Sequence, residues 1–243
     1  MSSRTTADIS FKPLENLEYI ENFNNGGNRS FKLGLNKFAD MIQDEFIATH
    51  TGYKCRTIPQ CLDYENYSNA PINFDWRDQN TVTPIKFQGR CVAAVEGLIK
   101  IKTGKFISFS EQQLLDCSTN GGNQGCNGGW MTNAFDYISQ NQGKTTEKSY
   151  PYQQMQETCN TQINKVATIS VYRMVPENDE EALLKAVTNQ PVSVALVGHG
   201  RDFKFYNGGV FTGDCGNSLS HAVIIVGYGT SEEGLIYWLI KNS

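Results

Sequence analysis

The stretch Thr83-Pro84-Ile85-Lys86-Phe87-Gln88-Gly89-Arg90-Cys91 runs directly into Val92-Ala93-Ala94-Val95-Glu96-Gly97-Leu98-Ile99-Lys100. It reads as a loop that carries a Gln, a Gly and a Cys to the mouth of an apolar helix, which Thr103-Gly104 ends after Lys102. A helix N-terminus holds unpaired N–H groups and about half a positive charge, so a thiol placed there ionises more readily. Further along, Ser220-His221-Ala222 supplies a candidate base and Lys241-Asn242-Ser243 a residue to orient it. Nucleophile, base and orienting group are the working parts of thiol acyl transfer.

On the N-terminal side, Leu14, Leu17, Tyr19 or Ile20, and Phe23 fall at helical spacing, and Gly26-Gly27 closes that helix. Pro13 should break any helix reaching further upstream. Alternating apolar residues in Ser30 to Asp40 predict a short strand, and Asp44 to Tyr53 a second helix. On the C-terminal side, Ser110 is an N-cap for a helix through Cys117, Met131 to Gln140 form another, and Tyr150-Pro151-Tyr152 an exposed turn. Gly121-Gly122 and Gly125-Cys126-Asn127-Gly128-Gly129-Trp130 make a glycine-rich loop. From Ala167 onward the composition turns toward strands at Pro191–Leu196, Ala222–Tyr228 and Leu235–Ile240, with a surface helix over Glu180–Thr188. His50 and His199 match no catalytic pattern and are expected to be ordinary surface residues.

The 243 residues are 39% hydrophobic and 19% charged, enough to bury one or two cores. A net charge of -4 and a pI near 5.4 give no support to a nucleic-acid partner, which would need a basic stripe. No apolar run is long enough to cross a membrane, and Met1 to Asp8 lack the apolar core of a signal peptide. The seven cysteines argue against the cytosol. They form no CxxC pair, and with only three histidines in the chain no zinc site is expected. A disulfide framework of secretory origin is the better reading, and the sequons Asn28-Arg29-Ser30 and Asn66-Tyr67-Ser68 are compatible with it.

Taken together, these pieces resemble the papain-like cysteine proteases in zymogen form, over nearly the whole chain. Asn16, Ile20 and Asn24 fit the end of the family's prosegment helix pattern, and Gly34, Asn36, Phe38 and Asp40 fit its Gly-x-Asn-x-Phe-x-Asp motif. Asn73-Phe74-Asp75-Trp76-Arg77 resembles the start of the mature domain. The resemblance implies an α+β fold of two lobes, one helical and one of antiparallel strands, preceded by a partial helical prosegment. Residues 1–69 would be prosegment and linker, and 70–243 the peptidase domain. In that domain His221 matches the general base, Asn242 the residue that orients it, Gln88 the oxyanion donor, and Gly128 and Gly129 the backbone that pairs with an extended substrate.

The resemblance also exposes a gap. In the family the Gln-Gly-x-Cys loop continues through Gly-Ser-Cys-Trp-Ala-Phe-Ser-Ala before the helix proceeds, and here Cys91 abuts Val92. About eight residues, roughly 12 Å of helix, are absent, and the family nucleophile is among them. The implied disulfides are Cys91–Cys126 and Cys117–Cys159, with Cys215 unpartnered. A second alignment makes Cys91 itself the nucleophile. Pro13 and the end at Ser243 imply a shortened prosegment and C-terminus, with an open sheet edge. The expected activity is endopeptidase hydrolysis without cofactor or metal, impaired in this chain, or else a non-catalytic inhibitor of related proteases or a remnant. Partners would be protein or peptide substrates or related proteases, with neither nucleic acid nor membrane, and the chain a monomer. The family implies the secretory pathway, lysosome or vacuole, or the extracellular space.

Overall fold

A computed structural model describes residues 6–51, 70–84 and 90–242, with side chains from 13, 70 and 92 onward in the three stretches. In chain order the elements are α1 (Thr6–Asn25), β1 (Phe31–Leu33), α2 (Gln43–His50), β2 (Phe74–Asp75), α3 (Arg90–Thr103), α4 (Glu111–Cys117) and α5 (Met131–Gln140). They continue with α6 (Glu180–Asn189), β3 (Val192–Leu196), α7 (Arg201–Lys204), β4 (Tyr206–Gly209), β5 (His221–Thr230) and β6 (Ile236–Lys241). Two compact units result, and the first is assembled from separated stretches, Met1–Gly52 and Leu196–His221. The second comprises Tyr53–Ala195 and Ala222–Ser243.

In the first unit, β1 pairs antiparallel with β4, Phe31 opposite Gly209 and Lys32 opposite Gly208. The strand alternates as its period of two demands, with Phe31 and Leu33 buried and Lys32 exposed. Those two join Ile20 of α1 and Phe205 in one cluster, against which Tyr19, Phe23, Ala39 and Phe211 pack. Asn16, Ile20 and Phe23 recur at helical spacing and turn inward, while Leu14, expected on this face, is 60% exposed.

α1 also runs through Pro13 rather than starting after it. Proline removes its own N–H and crowds the carbonyl four residues back, a local loss that the remaining backbone bonds of the helix span. The strand expected over residues 30–40 shrinks to three residues because only Phe31–Leu33 finds a partner strand.

The second unit has a helical part and a sheet part. Val92 and Val95 of α3, Phe109, Ile138 of α5 and Ile169 form the helical core, with Leu114 of α4 packed against it. The Ser110 hydroxyl accepts from the Gln113 N–H at 3.0 Å, capping α4 as the sequence predicts. In the sheet, β5 lies between β6 on one side and β2 and β3 on the other, and the pairings of β5 with β2 and with β6 are antiparallel.

β5 is buried from His221 to Gly229, which explains its unbroken apolar run. Ile224 and Val226 face Trp76 and Ala94, whereas Ile225 and Tyr228 face Val187 of α6. Strict alternation would put Tyr228 with Ile224. A register shift between Ile225 and Gly227 moves it across, as a bulge does. The Trp76 indole donates to the Val187 carbonyl at 2.7 Å, closing α6 over this side.

Candidate active site

Cys91 is wound into the first turn of α3, one residue after the helix starts at Arg90. Its side chain, like the whole of Gln88, lies outside the described residues. Immediately after it Val92 is 1% exposed and Val95 3%, so the core of the helical part begins directly behind the cysteine. The expected Cys91–Cys126 disulfide falls on a side chain outside the described residues; Cys126 itself is exposed and has no disulfide among them. Cys117 at the end of α4 is joined to Cys159, across a sequence separation of 42 and a Cα–Cα distance of 4.9 Å. Cys215 is likewise exposed and without a disulfide among the described residues, its pKa pushed up by burial and by the neighbouring Asp214 carboxylate.

His221 opens β5 and belongs to the first unit, where it is 6% exposed. The Phe203 ring meets it edge-on at 6.3 Å. A Cβ added at Gly198 would sit 2.5 Å from the His221 Cβ, so only glycine fits beside it. One residue earlier, the Ser220 N–H donates to the Leu196 carbonyl at 3.0 Å and its hydroxyl accepts from the Gly198 N–H at 3.1 Å. His199 Nδ1 lies 3.1 Å from the same hydroxyl. His199 is therefore half-buried and tied to Ser220 rather than an ordinary surface group. His50 also departs from expectation, stacking on Phe46 at 5.3 Å between ring centres. Sequence gave no signal for Gly198, whose role depends on a strand start more than twenty residues away.

Asn242 follows β6 in the second unit and is exposed. One residue before it, Lys241 Nζ donates to the Thr83 hydroxyl at 2.9 Å. That hydroxyl donates in turn to Glu96 Oε2 of α3 at 2.6 Å, while Glu96 Oε1 accepts from the Phe109 N–H at 2.8 Å. Glu96 is 3% exposed. A buried polar relay thus links the helix that carries Cys91 to the strand that leads to Asn242. The only sequence hint was a Glu inside an apolar helix.

The glycine-rich loop is held by Asn123, whose Oδ1 accepts from the Trp130 N–H at 2.7 Å and whose Nδ2 donates to the Ser118 hydroxyl at 3.0 Å. Gly128 has φ 89° and bonds through its N–H to Gly125 and through its carbonyl to Gln124. Gly129 admits no side chain, since a Cβ there would lie 2.2 Å from the Asn123 Oδ1. The loop therefore keeps bare backbone at its rim.

Residues 70–243 match the family model described as papain family cysteine protease, and residues 14–46 match the cathepsin propeptide inhibitor domain. The chain belongs to the papain family of cysteine proteases. Among its relatives, the senescence-specific cysteine protease SAG39 of Oryza sativa subsp. japonica is 48% identical over 242 residues, covering 94% of this chain and 71% of the relative. The senescence-specific cysteine protease SAG12 of Arabidopsis thaliana is 47% identical over 249 residues, covering 94% and 71%. Among solved structures, the proform of the ragweed pollen allergen Amb a 11 cysteine protease superposes with a TM-score of 0.90 at 39% identity, covering 100% of this chain and 80% of that one. Recombinant stem bromelain precursor follows at 0.88 and 38%, covering 100% and 83%. The papain-family fold, α+β and in its precursor form, is thereby established for this chain, whose N-terminal segment carries the propeptide domain.

Proposed function

We propose that this chain is a latent papain-family precursor whose peptide hydrolysis is impaired at the nucleophile. The observation that carries the reading is the start of α3: Cys91 stands in its first turn and Val92 is already in the core, leaving no helix for the segment that bears the family nucleophile. His221 would serve as base, Asn242 as its orienting partner, Gln88 as oxyanion donor, and Gly128 with Gly129 as the rim that pairs with a protein or peptide substrate. Such acyl transfer uses no cofactor. Residues 1–69 act as prosegment and linker and 70–243 as the peptidase domain, in a monomer routed through the secretory pathway toward a vacuole, lysosome or the outside. No helix among the described residues is long and apolar enough to cross a membrane.

A second reading makes Cys91 the nucleophile, favoured by its place at a helix N-terminus. The test is to incubate the purified protein with a thiol-reactive epoxide of the kind that labels papain-type nucleophiles and to take an intact mass. The expected result is no adduct at Cys91. Stoichiometric labelling there would overturn the impaired reading in favour of the second.

A further inference from the structure

Between α1 and β1 the chain makes a turn through Gly26, Gly27, Asn28 and Arg29, and nothing lies within 4 Å of where a Gly27 side chain would be. Asn28 is exposed there and is the first residue of Asn28-Arg29-Ser30. The intervening Arg29 is held away from it, its guanidinium 4.2 Å from the centre of the Phe23 ring. Ser30 ends the triplet at the edge of the β1–β4 pair, where its carbonyl accepts from the Val210 N–H at 2.8 Å and its hydroxyl lies 2.7 Å from that of Thr212.

We infer that Asn28 is a site of N-linked glycosylation, a conclusion that rests on the secretory routing proposed above. In the transfer, the Asn28 amide nitrogen bonds to the anomeric carbon of an oligosaccharide carried on a polyprenyl diphosphate. The carbon–oxygen bond to the diphosphate breaks, the diphosphate leaves with the electron pair, and the amide nitrogen loses one proton. An asparagine with a hydroxyl residue two places on is the acceptor this chemistry requires. Because the Ser30 hydroxyl is engaged by Thr212 in the folded protein, transfer takes place before residues 196–221 close against it. The finished fold then accommodates the sugar, since Asn28 points its backbone turn into open space and contributes nothing to the Ile20–Phe31–Leu33–Phe205 cluster. The second triplet, Asn66-Tyr67-Ser68, lies outside the described residues but is also upstream of Ala70. N-linked carbohydrate at either triplet therefore lies in the segment ahead of residue 70.

The test expresses the full chain behind a secretory leader in yeast and maps both exported and microsomal material by mass spectrometry, before and after treatment with peptide-N-glycosidase. The expected result is a hexose-rich mass on the Asn28 peptide, replaced by aspartate at that position on enzyme treatment. Occupancy should vanish in N28Q and in S30A and persist in S30T. An unmodified Asn28 peptide in microsomal wild-type protein would overturn the inference, whether or not the protein is exported. The epoxide experiment reads Cys91 and is blind to carbohydrate, so the two outcomes stand apart.

Discussion

Tyr19 shows how a single hydroxyl holds two stretches of chain together. It donates to Asp202 Oδ1, and the Arg201 guanidinium sits 3.8 Å from its ring centre. Burial first, and then the bond to Asp202, push its pKa up to about 12. The folded state thus keeps the phenolic proton more tightly than the unfolded chain, whose tyrosines titrate near about 10. Its contribution is complete below that value and fades as pH rises through about 12. Y19F should lose about 1.5–3 kcal/mol at neutral pH, as for a hydrogen bond to a charged group, and should flatten the decline in melting temperature at alkaline pH. A variant with an unchanged alkaline slope would remove Tyr19 from the account. At Thr83 the expected cost of T83V is about 1–3 kcal/mol by urea titration, because the relay from Lys241 to Glu96 loses its middle hydroxyl, while T83S should recover most of it.

Among the elements, α4 and the loop after it depend most on a covalent tie. The Cys117–Cys159 bridge closes a loop of sequence separation 42, which the chain-entropy account values at about 4 kcal/mol. C117A with C159A should lower stability by about that amount in non-reducing urea titrations. Elements of this kind were also the most legible ones. α5 occupies the residues its apolar period predicts, Met131–Gln140, and the N-cap serine fixed the start of α4. What escaped the sequence depends on distant partners. β4, Tyr-Asn-Gly-Gly, has no strand composition and forms because β1 offers it an edge. The bulge in β5 is equally silent, since a run of buried apolar residues reads the same with or without it. The roles proposed for His221, Asn242 and Gln88 were suggested only by family motifs, whereas Gly198 and the Thr83 relay needed three-dimensional neighbours.

For the whole molecule, the first unit joins Met1–Gly52 to Leu196–His221 by side chains and a strand pair. A cut anywhere between Gly52 and Ala70 should therefore leave the N-terminal fragment bound. Both pieces should elute together in gel filtration under native conditions and separate only in denaturant. Immediate release of the fragment at neutral pH would mean that the shared cluster of Ile20, Phe31, Leu33 and Phe205 contributes little to retention.

The same discontinuity sets a clock during synthesis. The first 52 residues leave the ribosome long before the partner that completes their core, and at roughly 5–20 residues per second the wait is on the order of 10–30 s. Throughout it, Ile20, Phe31 and Leu33 have no Phe205 to cover them, and the Ser30 hydroxyl has no Thr212. Modifying enzymes and chaperones meet an open segment, and slower translation lengthens their opportunity. Nascent chains stalled before Leu196 should be cut readily within residues 1–52, and chains stalled well beyond His221 should resist. Equal resistance in both would show that the N-terminal segment closes on itself without waiting.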